Sequence, residues 1–156
     1  MVLKLDFKKL IISLAIPLLV GGFSALITSD NMDIYSKIVK PPLSPPALLF
    51  PIVWTALYTL MGISFYLVLS SSDGRKNTAI NLFFVQLFLN FIWSPIFFNN
   101  RWFLVSLIVL VFLWIVTFLM IIVFYKTLRL AGLLQIPYII WLTFAMYLNF
   151  AIYLLN

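Results

Sequence analysis

The chain contains no cysteine and no histidine, and its only acidic residues are the four aspartates Asp6, Asp30, Asp33 and Asp73. These absences exclude disulfides, thiol chemistry, imidazole acid–base catalysis and the usual soft-metal ligands together. All four aspartates lie outside the apolar stretches, so no carboxylate is available inside a membrane as a proton relay or cation site. An ion pump or channel is disfavoured, and no cofactor or metal site is expected. Any chemistry would have to proceed without an acid–base pair, a metal or a nucleophile among the side chains.

What is present in excess is hydrocarbon. Of 156 residues 65% are hydrophobic, and the mean hydropathy of +1.17 exceeds what a water-soluble core of this size could hide. Charged residues divide the chain into uncharged stretches at 10–29, 41–72, 77–100, 102–125 and 130–156. Each is long enough to cross a bilayer, for which roughly 20 apolar residues suffice. Backbone polar groups in hydrocarbon must be satisfied within the spanning element, which leaves helices or a closed barrel. Continuous runs such as LVSLIVLVFLWIVTFLMIIVFY lack the alternation of barrel strands. The expected fold class is therefore all-α, an integral membrane bundle of five transmembrane helices at about 7–28, 47–69, 78–98, 102–125 and 131–154, with a long connection at 29–46.

The net charge of +6 reads as topology rather than as affinity for nucleic acid. With alternating helices, Lys4, Lys8, Lys9, Arg75, Lys76, Lys126 and Arg129 fall on one side and only Lys37, Lys40 and Arg101 on the other. That asymmetry predicts a multi-pass protein of the cell membrane with its N-terminus cytoplasmic and its C-terminus outside. The basic start, apolar run and small residues of GGFSA also resemble a signal peptide. About 20 uncharged residues is long for such a core, and a retained first helix is the preferred reading.

Pro17 and the Gly21, Gly22 pair allow a bend or close contact in the first helix. The connection after it ends in PPLSPP, whose four prolines predict stiff extended or turn backbone. Pro95 predicts a kink in the third helix, and NNR makes the third and fourth helices antiparallel neighbours. No internal repeat is visible, which disfavours alternating access by rocking halves.

Since lipid is as apolar as leucine, polar, small and proline residues mark the interior of such a bundle. Trp54, Tyr58 and Gly62 share a face of the second helix, and Asn90, Trp93 and Phe97 a face of the third. Pro137, Trp141, Ala145 and Asn149 recur every four residues along the fifth. Such stripes fit a pocket for a flat, largely apolar ligand oriented by Asn90 and the Trp and Tyr donors. They fit equally well ordinary helix packing, with Asn90 and Asn149 as interhelical glue. Trp114 has no polar neighbour at helical spacing and reads as packing or lipid-facing.

The stretches PPLSPPALLFPIVWTALYTLMG, LNFIWSPIFF and IPYIIWLTFAMYLN resemble the signatures of the TspO/MBR family, the tryptophan-rich sensory proteins related to the mitochondrial translocator protein. The resemblance extends from Gly21 onward and implies one transmembrane domain over 1–156, usually a homodimer, with a cavity under a lid that maps to Asn31 through Pro46. It implies binding of tetrapyrroles such as protoporphyrin and of benzodiazepine-site ligands, and in several bacterial members light-dependent porphyrin breakdown. By position, Trp54 and Trp141 match the family's cavity tryptophans and would carry any photo-oxidation; Tyr58, Asn90, Trp93 and Ala145 match other lining positions. The cholesterol-recognition pattern of animal members is lacking, because no basic residue follows Tyr147 or Tyr153. A tetrapyrrole receptor or carrier is thus the leading expectation. An enzyme-like porphyrin-degrading role and a structural membrane subunit are the alternatives.

Overall fold

The computed structural model describes residues 5–156, so that Lys4, counted above with the basic side, lies outside the described residues. The helices are α1 (Phe7–Thr28), α2 (Ile34–Lys37), α3 (Leu49–Leu69), α4 (Lys76–Phe98), α5 (Phe103–Thr127), α6 (Arg129–Leu133) and α7 (Ile136–Leu155). No strand occurs among the described residues. Five segments are long and apolar enough to cross a membrane: α1, α3, α4, α5, and α6 with α7. The chain is an all-helical, multi-pass membrane protein.

Polar contacts mark the starts of α1 and α4. Asp6 caps α1 by accepting from the Lys9 N–H at 3.0 Å, while its own N–H donates to the Tyr66 hydroxyl at 3.1 Å. That second bond ties the start of α1 to the end of α3. Before α4, Asp73 accepts from the Arg75 N–H, Nε and Nη2 at 2.8, 2.9 and 2.8 Å. The Arg75 guanidinium holds this carboxyl down at about 2. At the opposite end, Asn31 Nδ2 donates to Asn99 Oδ1 at 3.0 Å, and Asn99 Nδ2 donates to the Ile27 carbonyl at 3.1 Å. These ties separate Lys8, Lys9, Arg75, Lys76, Lys126 and Arg129 at one end of the bundle from Lys37, Lys40 and Arg101 at the other.

One expectation about the fold needs correction. The last span is not one helix over 131–154: it breaks between α6 and α7. Pro137 has no N–H to give the Leu133 carbonyl, so the helical ladder is interrupted there and α7 begins with the proline in its first turn. Gln135 resolves the break, its carbonyl accepting from both the Tyr138 and Ile139 N–H groups. The connection 29–46 has the turn backbone its prolines favour, preceded by short helical turns. Ser29–Asn31 forms a 3-10 turn, α2 follows, and Pro41–Ser44 closes a turn with Leu43 at φ 67°, a left-handed position usually left to glycine. Turns at Ala47 and Leu48 also delay α3 to Leu49.

Close approach of α1 and α3 depends on glycine. A Cβ built on Gly62 would stand 2.7 Å from Leu14 Cα, and one on Gly21 would stand 2.3 Å from the Tyr58 ring. α1 packs on α3 and α4, α4 on α5, and the principal neighbour of α7 is α5. The central layer is aromatic and aliphatic: Phe65 stacks on Phe83 at 4.0 Å, with Met61, Met120 and Phe124 fully buried around them.

Gly62→Val is expected to push α1 off α3 and cost about 1–3 kcal/mol, read as a lower unfolding temperature in detergent. Gly22→Ala, whose Cβ would meet nothing within 4 Å, should be neutral or slightly stabilising. The folded-state pKa of Asp73 is depressed, so its contact with Arg75 contributes fully above pH about 4 and is lost as pH falls through about 2. A carboxyl NMR titration should place its midpoint near 2, returning towards 3.8 in Arg75→Gln.

Candidate ligand cavity

In the half of the bundle that carries the 29–46 segment, α1, α3, α4 and α7 stand apart around a cavity of about 350 Å³. Among the residues lining it are Trp54, Tyr58, Asn90, Trp93 and Ala145, with Met32 and Tyr35 contributed by the roof. None of the lining residues is charged. The volume is that of a small-molecule site with a few polar groups on an apolar wall.

The floor is a chain of hydrogen bonds that leads away from the cavity. Trp54 stacks on Tyr58 with ring centroids 5.5 Å apart. The Tyr58 hydroxyl donates to Asn90 Oδ1 at 3.1 Å, Asn90 Nδ2 donates to the Tyr138 hydroxyl at 2.8 Å, and that hydroxyl donates to Gln86 Oε1 at 2.9 Å. Four buried side chains from three helices are thereby joined. They hydrogen-bond to one another, and none of them carries a charge.

A second polar knot fixes the wall. Asn149 Oδ1 accepts from Trp93 Nε1 at 3.1 Å and from Ser106 Oγ at 3.0 Å, and Asn149 Nδ2 donates to the Phe103 carbonyl at 2.9 Å. Trp93 is thereby held against α5 and α7 and stacks on Phe97 at 5.4 Å. Among the described residues, Trp93 and Trp114 are the tryptophans whose indole N–H donates to a protein group, and the Trp54 N–H makes no such bond.

The roof is fastened from several sides. The Tyr35 hydroxyl donates to the Pro45 carbonyl and the Tyr147 hydroxyl to the Pro42 carbonyl, both at 2.7 Å. Asn156 pairs with the Val39 backbone in both directions, accepting at 3.0 Å and donating at 3.1 Å. Burial pushes the Tyr35 phenol above its usual range, so it remains a donor at neutral pH. Lys37 pairs with Asp33, whose carboxyl is held below its ordinary value chiefly by that bond. Lys40 sits 4.9 Å over the Tyr35 ring.

Of the six positions singled out from sequence, five line the cavity and Trp141 does not. Its indole packs edge-to-face on Phe50, 5.9 Å away, and Phe50 is the residue that reaches the cavity. The reason is helical geometry: with 3.6 residues per turn, each step of four advances about 40° round the axis. A line from Pro137 to Asn149 therefore winds by about 120°, and only its end, Ala145 and Asn149, meets the cavity beside Leu148 and Ile152. Tyr138 and Gln86, the buried end of the polar chain, were missed. The available signal was Gln86 four residues before Asn90. Trp114 does have a polar partner, Thr143 Oγ1 at 2.9 Å on α7, which spacing along α5 could not reveal.

Fold and site together define a class, a five-span helical membrane protein enclosing an uncharged aromatic cavity. Residues 13–155 match the model of the TspO/MBR family, and the chain belongs to that family. It is 37% identical over 96 residues to the "Tryptophan-rich protein TspO" of Archaeoglobus fulgidus, covering 61% of this chain and 63% of that one. Over 79 residues it is 41% identical to the protein of the same name from Chlorobaculum tepidum, covering 49% and 50%. The human "Translocator protein" is 34% identical over 93 residues, covering 56% and 55%. The matched region thus spans between half and two thirds of the length of these relatives.

Asn90 makes two interhelical bonds, worth roughly 0.6–1.7 kcal/mol each in membrane bundles. Asn90→Leu should therefore lower stability by about 1–3 kcal/mol, measured by thermal unfolding in detergent.

Proposed function

We propose that this chain is a receptor or carrier in the cell membrane for tetrapyrroles such as protoporphyrin, and for benzodiazepine-site ligands, acting as a single transmembrane domain. The observation that carries this reading is the uncharged aromatic cavity, with the stacked Trp54–Tyr58 pair on its wall. Trp54, Tyr58, Asn90, Trp93 and Ala145 are its contact residues, and Trp141 acts through Phe50. A flat apolar ring system fits walls that offer ring faces and no charge. The names of relatives, "Translocator protein" and "Tryptophan-rich sensory protein", support carriage or sensing of a ligand. The basic excess at the end bearing Lys8, Arg75 and Lys126 supports a cytoplasmic N-terminus, and the family resemblance supports a homodimer.

Light- and oxygen-dependent breakdown of the bound porphyrin is a second reading, favoured by an oxidisable indole on the cavity wall. Trp54 and Trp141 are the residues concerned, and the geometry ranks Trp54 first.

Protoporphyrin should quench tryptophan emission of the purified protein saturably, and Trp54→Ala should weaken its affinity tenfold or more. Quenching that does not saturate and ignores the substitution would refute the binding reading. Under illumination, Trp54→Phe should slow porphyrin bleaching more than Trp141→Phe. Bleaching at the rate of free porphyrin in the unaltered protein would leave binding alone.

A further inference from the structure

We propose that the ligand enters the cavity sideways from the bilayer, through the seam between α1 and α3 in the half of the membrane that holds the 29–46 segment, and not through the roof. This inference rests on the reading of the cavity as a ligand site.

The seam is asymmetric along its length. Deep in the bundle, Gly62 lets α3 touch the α1 backbone at Leu14, and the Tyr58 ring lies on Gly21. Because the two helices run in opposite directions, the next turns bring Gly22 opposite Thr55 and Ala25 opposite Pro51. Here the side chains leave space beside Gly22. Leu18, Gly22, Ala25, Pro51 and Thr55 all line the cavity, yet all five are exposed. Lining alone does not cause this, since Ser24 and Thr28, on the other flank of α1, line the same cavity and are buried. A Cβ on Gly22 would meet nothing within 4 Å. The wall is therefore open on one side, and four of the five residues framing the gap have small or compact side chains.

Polar ties point the same way. Among the described residues, the one side-chain hydrogen bond between α1 and α3 is that of Asp6 with Tyr66, at the far end of both helices. No such bond would have to break for the near ends to part. Entry through the roof, in contrast, would have to break the bonds of Tyr147 to Pro42 and of Asn156 to Val39, both made across more than a hundred residues of sequence. An apolar ring system is also concentrated in lipid, so the seam faces the phase in which such a ligand resides.

The test is stopped-flow tryptophan quenching in liposomes preloaded with protoporphyrin. Gly22→Phe should slow association and dissociation together, at least fivefold each, because a plug in the path retards both directions. Loss of a binding contact would instead speed dissociation. Tyr147→Phe with Asn156→Ala, which frees the roof, should change neither rate by more than twofold. Unchanged rates in Gly22→Phe, faster dissociation there, or a fivefold acceleration on freeing the roof would each overturn the proposal. If protoporphyrin does not bind the unaltered protein, the proposed function fails and the route is read separately. Ala145→Cys supplies the chain's single thiol on the cavity wall, and a bilayer-partitioned pyrenyl maleimide alkylates it. Gly22→Phe on that background should slow labelling at least fivefold; equal rates, or no labelling at all, would overturn lateral entry.

Discussion

In hydrocarbon a leucine gains nothing by turning inward, so a bundle of apolar helices is assembled by the few groups that lipid rejects. Here those groups are amide and phenol side chains. Tyr58, Asn90, Tyr138 and Gln86 satisfy one another across α3, α4 and α7, and Asn149 does the same for Trp93, Ser106 and the Phe103 carbonyl. Removing any member would leave its neighbours unpaired in a medium that offers no substitute. The positions of α4 and α7, and with them the cavity between them, follow from this network.

The same economy shapes the cavity. The donors that hold the helices are spent on one another, and the cavity is lined mainly by ring faces and aliphatic wall. Selectivity in such a site comes from shape and stacking more than from hydrogen bonds. The absence of charge from the lining agrees with the confinement of lysine, arginine and aspartate to the ends of the spans that face it. Glycine supplies the complementary device: Gly21 and Gly62 bring α1 against α3 at the base, whereas Gly22 leaves space further along. One helix pair is thereby closed at one level and open at another.

Much of this was legible in the chain. Uncharged runs of sufficient length locate the five spans, because a charge in hydrocarbon costs too much to be placed casually. Stripes at intervals of three and four place Trp54 with Tyr58 and Asn90 with Trp93, and these short-range relations survive in three dimensions. The reading weakened as spacing was extended. Over twelve residues the fourfold ladder on α7 winds away from its starting face, and Trp141 packs on Phe50, which lines the cavity there. Tyr138 went unnoticed for the complementary reason, since its partners Asn90 and Gln86 lie on another helix.

The sequence by itself determined the solvent, the class of fold and the number of crossings, because each depends on residue type and on distance along one helix. Only the tertiary structure decided which stripes meet, which indole N–H groups donate to the protein, how the roof is fastened and where the wall opens. Those are relations between helices that lie far apart in sequence, and they are set by pairwise packing and by hydrogen bonds that no single stretch encodes.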